Sequence, residues 1–239
     1  MVVFCSLGEG EPNRMKVRLD TSMASREDIS AMRRQYGEAG LVESALPKDP
    51  VELFNTWLLE AAGNEVVVEA NAMVLSTAFD NQPNSRTVLL KDLTKAGFTF
   101  FTNYGSRKAK QISSNPHVSL LFPWYPMERQ VIVIGTANKI AKSESEKYFA
   151  SRPRGSQIGA WASTQSEELS SREELESKYA EFEKKWPEGT EVPMPEHWGG
   201  YVVTPKSIEF WQGRHSRLHD RIRYVRSENN DWQIKRIYP

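Results

Sequence analysis

The chain has 239 residues, enough to bury roughly 70% of its unfolded surface in a core without disulfides or a structural metal. Its 31 Lys+Arg balance 31 Asp+Glu, so the formal net charge is zero, which argues against a whole-protein electrostatic partnership with nucleic acid or an anionic membrane. Apolar residues at 39% and charged residues at 26% exclude a disordered or fibrous chain, and no apolar run nears the roughly eighteen residues of a membrane span. The single Cys5 leaves no intrachain disulfide and no thiolate metal cluster. It fits a reducing compartment, and a cytoplasmic location is expected.

Residues 1–24 read as a loose tail. Met1 to Leu7 is apolar but lacks the basic leader and small-residue cleavage site of a secretory signal; Arg14, Lys16 and Arg18 leave a mitochondrial leader open, against which Glu9, Glu11 and Asp20 have the wrong sign. Residues 25–36 are expected to be helical, with Ser25 and Asp28 at capping-box-like spacing and Ile29, Met32 and Tyr36 near one face; Gly37 and Gly40 end it. A second helix should start at Asp49-Pro50, carry the stripe Val51, Phe54, Trp57 and Leu58, and stop at Gly63.

The period then shortens. Residues 66–79, 86–93, 97–103, 118–124 and 129–140 predict five strands, separated by turns over 80–84, 95–97 and 126–128. Residues 106–114 predict a short helix inserted among them. Ser143 with Glu146 predicts a capping box for a helix through Ala150, interrupted by Pro153. Ser171 with Glu174 opens a helix to about Trp186, and residues 187–195 read as a surface connector. The last strands are expected over 200–204 with 208–211, 221–226 and 232–237. The fold class is α+β: one barrel-like domain over residues 25–239, an antiparallel sheet with helices packed around it.

Several chemistries lose support. There is no P-loop, no Gly-x-Gly-x-x-Gly, no His-Glu-x-x-His and no Cys-x-x-Cys. His117, His197, His215 and His219 lack metal-ligand spacing, so no metal is expected. What remains points to anions. Arg107 and Lys108 fall in the first turn of the inserted helix, where the dipole disfavours cations unless an anion binds there; two solvated charges are the alternative. Arg86 and Lys91 bracket Val88-Leu89-Leu90 and, at odd spacing, would take opposite faces of one strand, as ordinary strand-end charges do. Tyr148, Arg152 and Ser156 are spaced by four and four, along one side of a helix. A packed tyrosine with a surface arginine explains that spacing equally. If residues 214–223 are extended, Arg217, His219, Arg221 and Arg223 share a face, and such charges repel unless an anion or acids oppose them. RNA is the other reading of this arginine-rich stretch, opposed by the zero net charge and the lack of interleaved aromatics.

The run Ile208-Glu209-Phe210-Trp211-Gln212, then four residues, then Arg217-Leu218-His219-Asp220-Arg221 closely resembles the signature of the pyridoxine/pyridoxamine 5′-phosphate oxidases. Further blocks resemble the family in its own order: Arg33-Arg34-Gln35-Tyr36, Arg86 to Lys91, Phe101-Thr102-Asn103, Ser106-Arg107-Lys108, Arg129-Gln130-Val131, Ser151 to Arg154, Ser156 to Ala160 and Trp198-Gly199-Gly200. The likeness covers about residues 29–239.

The resemblance implies an FMN-binding split β-barrel, a homodimer with FMN at the subunit interface, and oxidation of pyridoxine or pyridoxamine 5′-phosphate by O2 to pyridoxal 5′-phosphate. It implies that Arg86, Thr87, Arg107, Lys108, Gln165 and Ser166 hold the FMN phosphate and ribityl chain. Val88, Leu89, Phe101 and Thr102 would line the flavin, joined by Gln130, Trp211 and Arg221. Lys91, Tyr148, Arg152 and Ser156 would bind the substrate phosphate. Arg217 and His219 would be the catalytic pair over the pyridine ring and its phenolic oxygen, easing proton removal, with Arg33 and Tyr36 closing the site. Glu69 stands where an acidic residue is expected. Thr87 and Ser216 vary within matched blocks, residues 161–164 fit loosely, and Tyr238 replaces an expected Ala. Two rivals remain: another split-barrel FMN reductase, and a non-catalytic pyridoxal-phosphate carrier.

Overall fold

The computed structural model describes residues 29–30, 36–37 and 40–239. The chain divides into two units, 1–34 and 35–239. Of the first, Ile29 and Ser30 are described and are helical; the rest of the helix expected over 25–36, the tail before it, and Arg33 lie outside the described residues.

Helix α1 (Pro50–Ala62) starts as its signals predict. The Asp49 carboxylate accepts the Val51 N–H at 2.9 Å, and Pro50 fills the first turn, where no N–H is needed. Strand β1 (Ala72–Phe79) begins six residues later than expected. Asn64 takes the Val66 N–H on its side chain and the Val67 N–H on its carbonyl, closing a local turn that leaves Val68 99% exposed. Strand β2 (Gln82–Leu89) pairs with β1, placing Phe79 opposite Gln82. The connection is therefore only Asp80-Asn81, both left-handed at φ 49° and 59°, the sign a tight two-residue hairpin requires. Gln82, Pro83 and Asn84 belong to β2, and Pro83 is tolerated because β2 is the sheet's edge.

Strand β3 (Asp92–Thr94) turns back into β4 (Gly97–Asn103). Gly97 sits at φ 136°, and a Cβ there would lie 2.0 Å from the Val203 carbonyl oxygen, so only glycine lets β4 approach its neighbour. Helix α2 (Arg107–Ser114), β5 (His117–Trp124) and β6 (Arg129–Lys139) follow as expected. Helix α3 (Lys142–Ala150) starts two residues early, its N-cap being Ala141 and not Ser143. Its cap is the Glu144 carboxylate, accepting the Ala141 N–H at 3.2 Å, and not the expected Ser143–Glu146 box. Pro153 precedes α4 (Arg154–Ala162), and Ser171 caps α5 (Arg172–Lys185) by accepting the Glu174 N–H. The connector after α5 is not wholly superficial, since Val192 packs with Phe149, Ile158 and Trp198 in a small second core.

Strand β7 (Trp198–Gln212) is one continuous 15-residue strand, running without a break through residues 205–207, which the expected strand left out. Its first half pairs with β4, its second half with β8 (Asp220–Arg226), and β6 runs along both. A register shift between Ile134 and Gly135 lets it bend. Strand β9 (Trp232–Arg236) adds to β8, completing an antiparallel sheet whose main path is β2-β1-β5-β6-β7-β4-β3. Helix α1 plugs this curved sheet. Phe54, with no exposure, meets Phe98 at 4.9 Å and Phe122 at 4.8 Å edge-on, while Trp57 meets Phe210 at 5.3 Å. Phe54→Ala empties the centre of this core and should cost about 3–5 kcal/mol, read as a lower urea midpoint with an unchanged slope.

Candidate active site

A cavity of about 710 Å³ opens between the β2–β4 edge and helices α2 to α4, within the size range of small-molecule sites. Among its described lining residues are five cations, Arg86, Lys91, Arg107, Lys108 and Arg152, and no carboxylate. Arg86 and Lys91 face the same cavity, contrary to the opposite faces expected. Strand β2 ends at Leu89, so the alternation of one strand does not extend to Lys91, whose N–H pairs instead with the Thr99 carbonyl.

The cations are held by neutral acceptors. Arg86 donates to the Leu75 carbonyl, Thr77 Oγ1, Asn84 Oδ1 and Gln111 Oε1 at 2.6–3.1 Å. Burial, then the charge of Arg107, lowers its pKa. Lys108 is 9% exposed in the first turn of α2 and donates to Gln165 Oε1 at 2.8 Å and Thr102 Oγ1 at 3.2 Å. Burial, helped by Arg86, pushes its pKa down to about 8. Thr87, Val88, Leu89 and the left-handed Ser166 also line the cavity.

Helices α3 and α4 supply Tyr148, Arg152 and Ser156, converging across the Pro153 break as their spacing suggested. Phe101 stacks on Tyr148 at 3.9 Å and on Trp198 at 5.3 Å, and the Arg152 guanidinium lies 4.8 Å over Trp198. A Cβ at Gly200 would come within 2.9 Å of the Phe101 ring, so this wall depends on a glycine opposite it. Arg152 Nη1 is buried and has no hydrogen-bond partner among the described residues. A buried donor left unpaired is costly, and here an anion in the cavity would satisfy it. The site's residues therefore fit a phosphate-bearing ligand.

The remaining expected residues do not line this cavity. Trp211, half-buried on β7, packs edge-on with Tyr36 at 5.7 Å and against His219 at 4.8 Å; Gln130 on β6 pairs with it. Arg217 is exposed beside them, in a tight turn where Ser216 and Arg217 are both left-handed, so the extended strand expected through Arg217 is not formed. Arg221 and Arg223 do share a face, and an acid opposes them: both pair with the buried Glu209 carboxylate at 2.7 Å. Glu69 lies in the exposed loop before β1. Sequence reasoning left Asn84, Asn103, Gly159, Ala160, Ser163 and Trp198 unassigned, although all line the cavity; the Trp198-Gly199-Gly200 block was the available signal for the last.

Residues 59–186 match the family described as pyridoxamine 5′-phosphate oxidase, and residues 198–239 match the pyridoxine 5′-phosphate oxidase C-terminal dimerisation region. The chain belongs to the pyridoxine/pyridoxamine 5′-phosphate oxidase family. It is 53% identical over 218 residues to the pyridoxine/pyridoxamine 5′-phosphate oxidase of Rubrobacter xylanophilus, covering 90% of this chain and 98% of that one. With the Streptomyces avermitilis protein of the same name it shares 49% identity over 216 residues, 89% of this chain and 96% of the relative. Among solved structures, PhzG from Burkholderia lata, in complex with tetrahydrophenazine-1-carboxylic acid, superposes with TM-score 0.77 at 31% identity, covering 83% of this chain and 98% of PhzG. The fold is thus the family's α+β split barrel, and the matched dimerisation region makes the chain a homodimer.

Lys108 ties the site to pH. With its folded pKa near 8 against 10.5 for a free lysine, the unfolded chain holds more protons between those values, so stability rises with pH there. Urea unfolding of the FMN-free protein should show this rise between pH 8 and 10.5, and Lys108→Met should flatten it.

Proposed function

We infer that the chain is an FMN-dependent oxidase: pyridoxine 5′-phosphate and O2 give pyridoxal 5′-phosphate and H2O2, and pyridoxamine 5′-phosphate with O2 and water gives the same products plus ammonia. Bound FMN would accept a hydride from the substrate's 4′ carbon and pass the electrons to O2. The observation that carries this reading is the cavity with, among the described residues, five cations, no lining carboxylate and an unpaired buried Arg152 Nη1, in a chain about half identical to oxidases of that name.

Two phosphates divide the cations. Arg86, Arg107 and Lys108, with Thr87, Gln165 and Ser166, hold the FMN phosphate and ribityl chain, and Val88, Leu89, Phe101 and Thr102 form the wall beside the flavin. Lys91, Tyr148, Arg152 and Ser156 take the substrate phosphate, fixing the ring at a distance from the reacting carbon so that binding energy is used for orientation. The Arg217 guanidinium covers the pyridine ring and His219 meets its phenolic oxygen, with Tyr36 closing over them. Residues 25–239 act as one oxidase domain, and the lone Cys5 suits the cytoplasm.

The cavity and the Tyr36–Trp211–His219 cluster are separate within one protomer. The cluster's Trp211, Arg217, His219 and Arg221 all belong to the dimerisation region. In this reading one protomer supplies the cavity, and its partner supplies Gln130, Trp211, Arg217, His219 and Arg221.

Anaerobic addition of pyridoxine 5′-phosphate should bleach the bound-FMN spectrum, unphosphorylated pyridoxine should not, and air should restore it. A yellow protein that stays oxidised would move the function to another substrate, and a colourless protein that keeps pyridoxal 5′-phosphate would make it a carrier. Lys91→Ala or Arg152→Ala should raise KM about 10- to 100-fold, the scale of one lost charge-assisted hydrogen bond, while Arg217→Ala should slow flavin reduction more than it weakens FMN binding. Dimers mixing Lys108→Ala and His219→Ala protomers contain one intact site and should regain about half the wild-type rate per dimer; no recovery would place the whole site within one chain.

A further inference from the structure

The His219 ring is fixed on several sides. Trp211 lies 4.8 Å away, Tyr36 meets it edge-on at 5.3 Å, and the Arg214 backbone N–H points at its Nδ1 at 3.1 Å. A backbone amide can only donate, so Nδ1 is the acceptor and the proton of the neutral ring sits on Nε2.

That donor is itself held in place. The preceding Gly213 N–H donates to the Glu128 carbonyl at 2.7 Å, and the Arg214 guanidinium reaches the Asp220 carboxylate at 3.3 Å. The chain returns from Arg214 to His219 through the paired left-handed residues Ser216 and Arg217, at φ 56° and 61°. Strain of that kind persists where the surroundings over-determine it.

The groups facing the ring keep it neutral. Burial and the nearby Arg217 charge lower the His219 pKa. Trp211 from β7 and Tyr36 from the N-terminal segment bring no charge. Asp220, the adjacent acid, is occupied by Arg214, by Arg236 and by the Leu41 N–H.

We propose that His219 is a hydrogen-bond donor of fixed tautomer, presenting Nε2–H to the substrate's phenolic oxygen, and that the Arg214 backbone amide is the positioning group that sets this tautomer. The proposal rests on the reading of His219 as a substrate contact. It gives the site a defined preference: Arg217 and His219 together offer donors and no acceptor, which matches an ionised phenolic oxygen. It also leaves the imidazole without a free lone pair to take a proton from the alcohol or amine.

The test uses the holoenzyme labelled with 15N-histidine, the His219 signals being those lost in His219→Gln. The expected spectrum has a pyridine-type shift at Nδ1 and a pyrrole-type shift at Nε2, the latter moving when pyridoxal 5′-phosphate is added. A pyrrole-type Nδ1 or a doubly protonated ring at neutral pH overturns the assignment. Stopped-flow reduction gives a second reading. A glutamine amide can replace the Nε2–H donor, so His219→Gln should stay within about 10-fold of wild type, as for one imperfect hydrogen bond, with an unchanged pH profile. His219→Ala should lose about 100-fold or more. If Gln is as slow as Ala and the acidic limb of the profile vanishes, His219 is a base and the proposal falls. Failure of wild type to reduce its flavin with either substrate refutes the functional reading alone, because the tautomer is read without turnover.

Discussion

Positive charge gathered in a partly desolvated cavity, with no lining carboxylate among the described residues to balance it, governs this molecule. Burial, and then the charge of Arg107, lowers the proton affinity of Arg86, and burial with the charge of Arg86 lowers that of Lys108. The protein tolerates the arrangement by surrounding them with neutral acceptors: Gln111, Thr77 and Asn84 around Arg86, and Gln165 and Thr102 around Lys108. Carbonyl and hydroxyl dipoles position a cation without neutralising it. The field is thereby left for an anionic ligand, and the unpaired Arg152 Nη1 marks where part of it is unspent.

Elsewhere the same residue type is handled in the opposite way. Arg221 and Arg223 share the buried Glu209, and Arg236 pairs with Asp220 and Glu43. These are structural ion pairs that tie β7, β8 and the segment around residues 41–43 together. A basic residue alone therefore says little about function: acids tie Arg223 and Arg236 into the scaffold, whereas neutral dipoles around Arg86 and Lys108 leave their charge to the cavity.

The fold serves this division of labour through β7. Its first half, paired with β4, brings Trp198 and Gly200 to the cavity wall, and its second half, paired with β8, carries Trp211 and leads into the Arg217–His219 turn. Two surfaces on one strand, facing different places, suit a site assembled from two protomers. The strained Ser216–Arg217 turn and the tautomer of His219 belong to the same economy: a rigid strand end holds a short loop in a conformation it would not choose alone.

Much of this was legible in the sequence. Helix α1 followed from Asp49-Pro50 and the Phe54–Trp57 stripe, α5 from the Ser171–Glu174 cap, and β4 from its apolar run, because each depends on neighbours within a few residues. The Tyr148–Arg152–Ser156 spacing allowed those three side chains to share one side, and the Arg217-to-Arg221 block carried the family resemblance, since side-chain type and local period are written in the chain. Other features depended on distant partners. The late start of β1 was decided by Asn64 closing its own turn, and the shared cavity for Arg86 and Lys91 by where β2 loses its partner. The assignment of Arg221 to Glu209 was decided by register between β7 and β8, and the separation of the cavity from the His219 cluster by the path of β7. The sequence by itself determined which charges and rings the protein would have and which short segments would be helix or strand. Only the tertiary structure decided which cations would meet an acid and which would be left facing a cavity, because that depends on contacts between residues far apart in the chain.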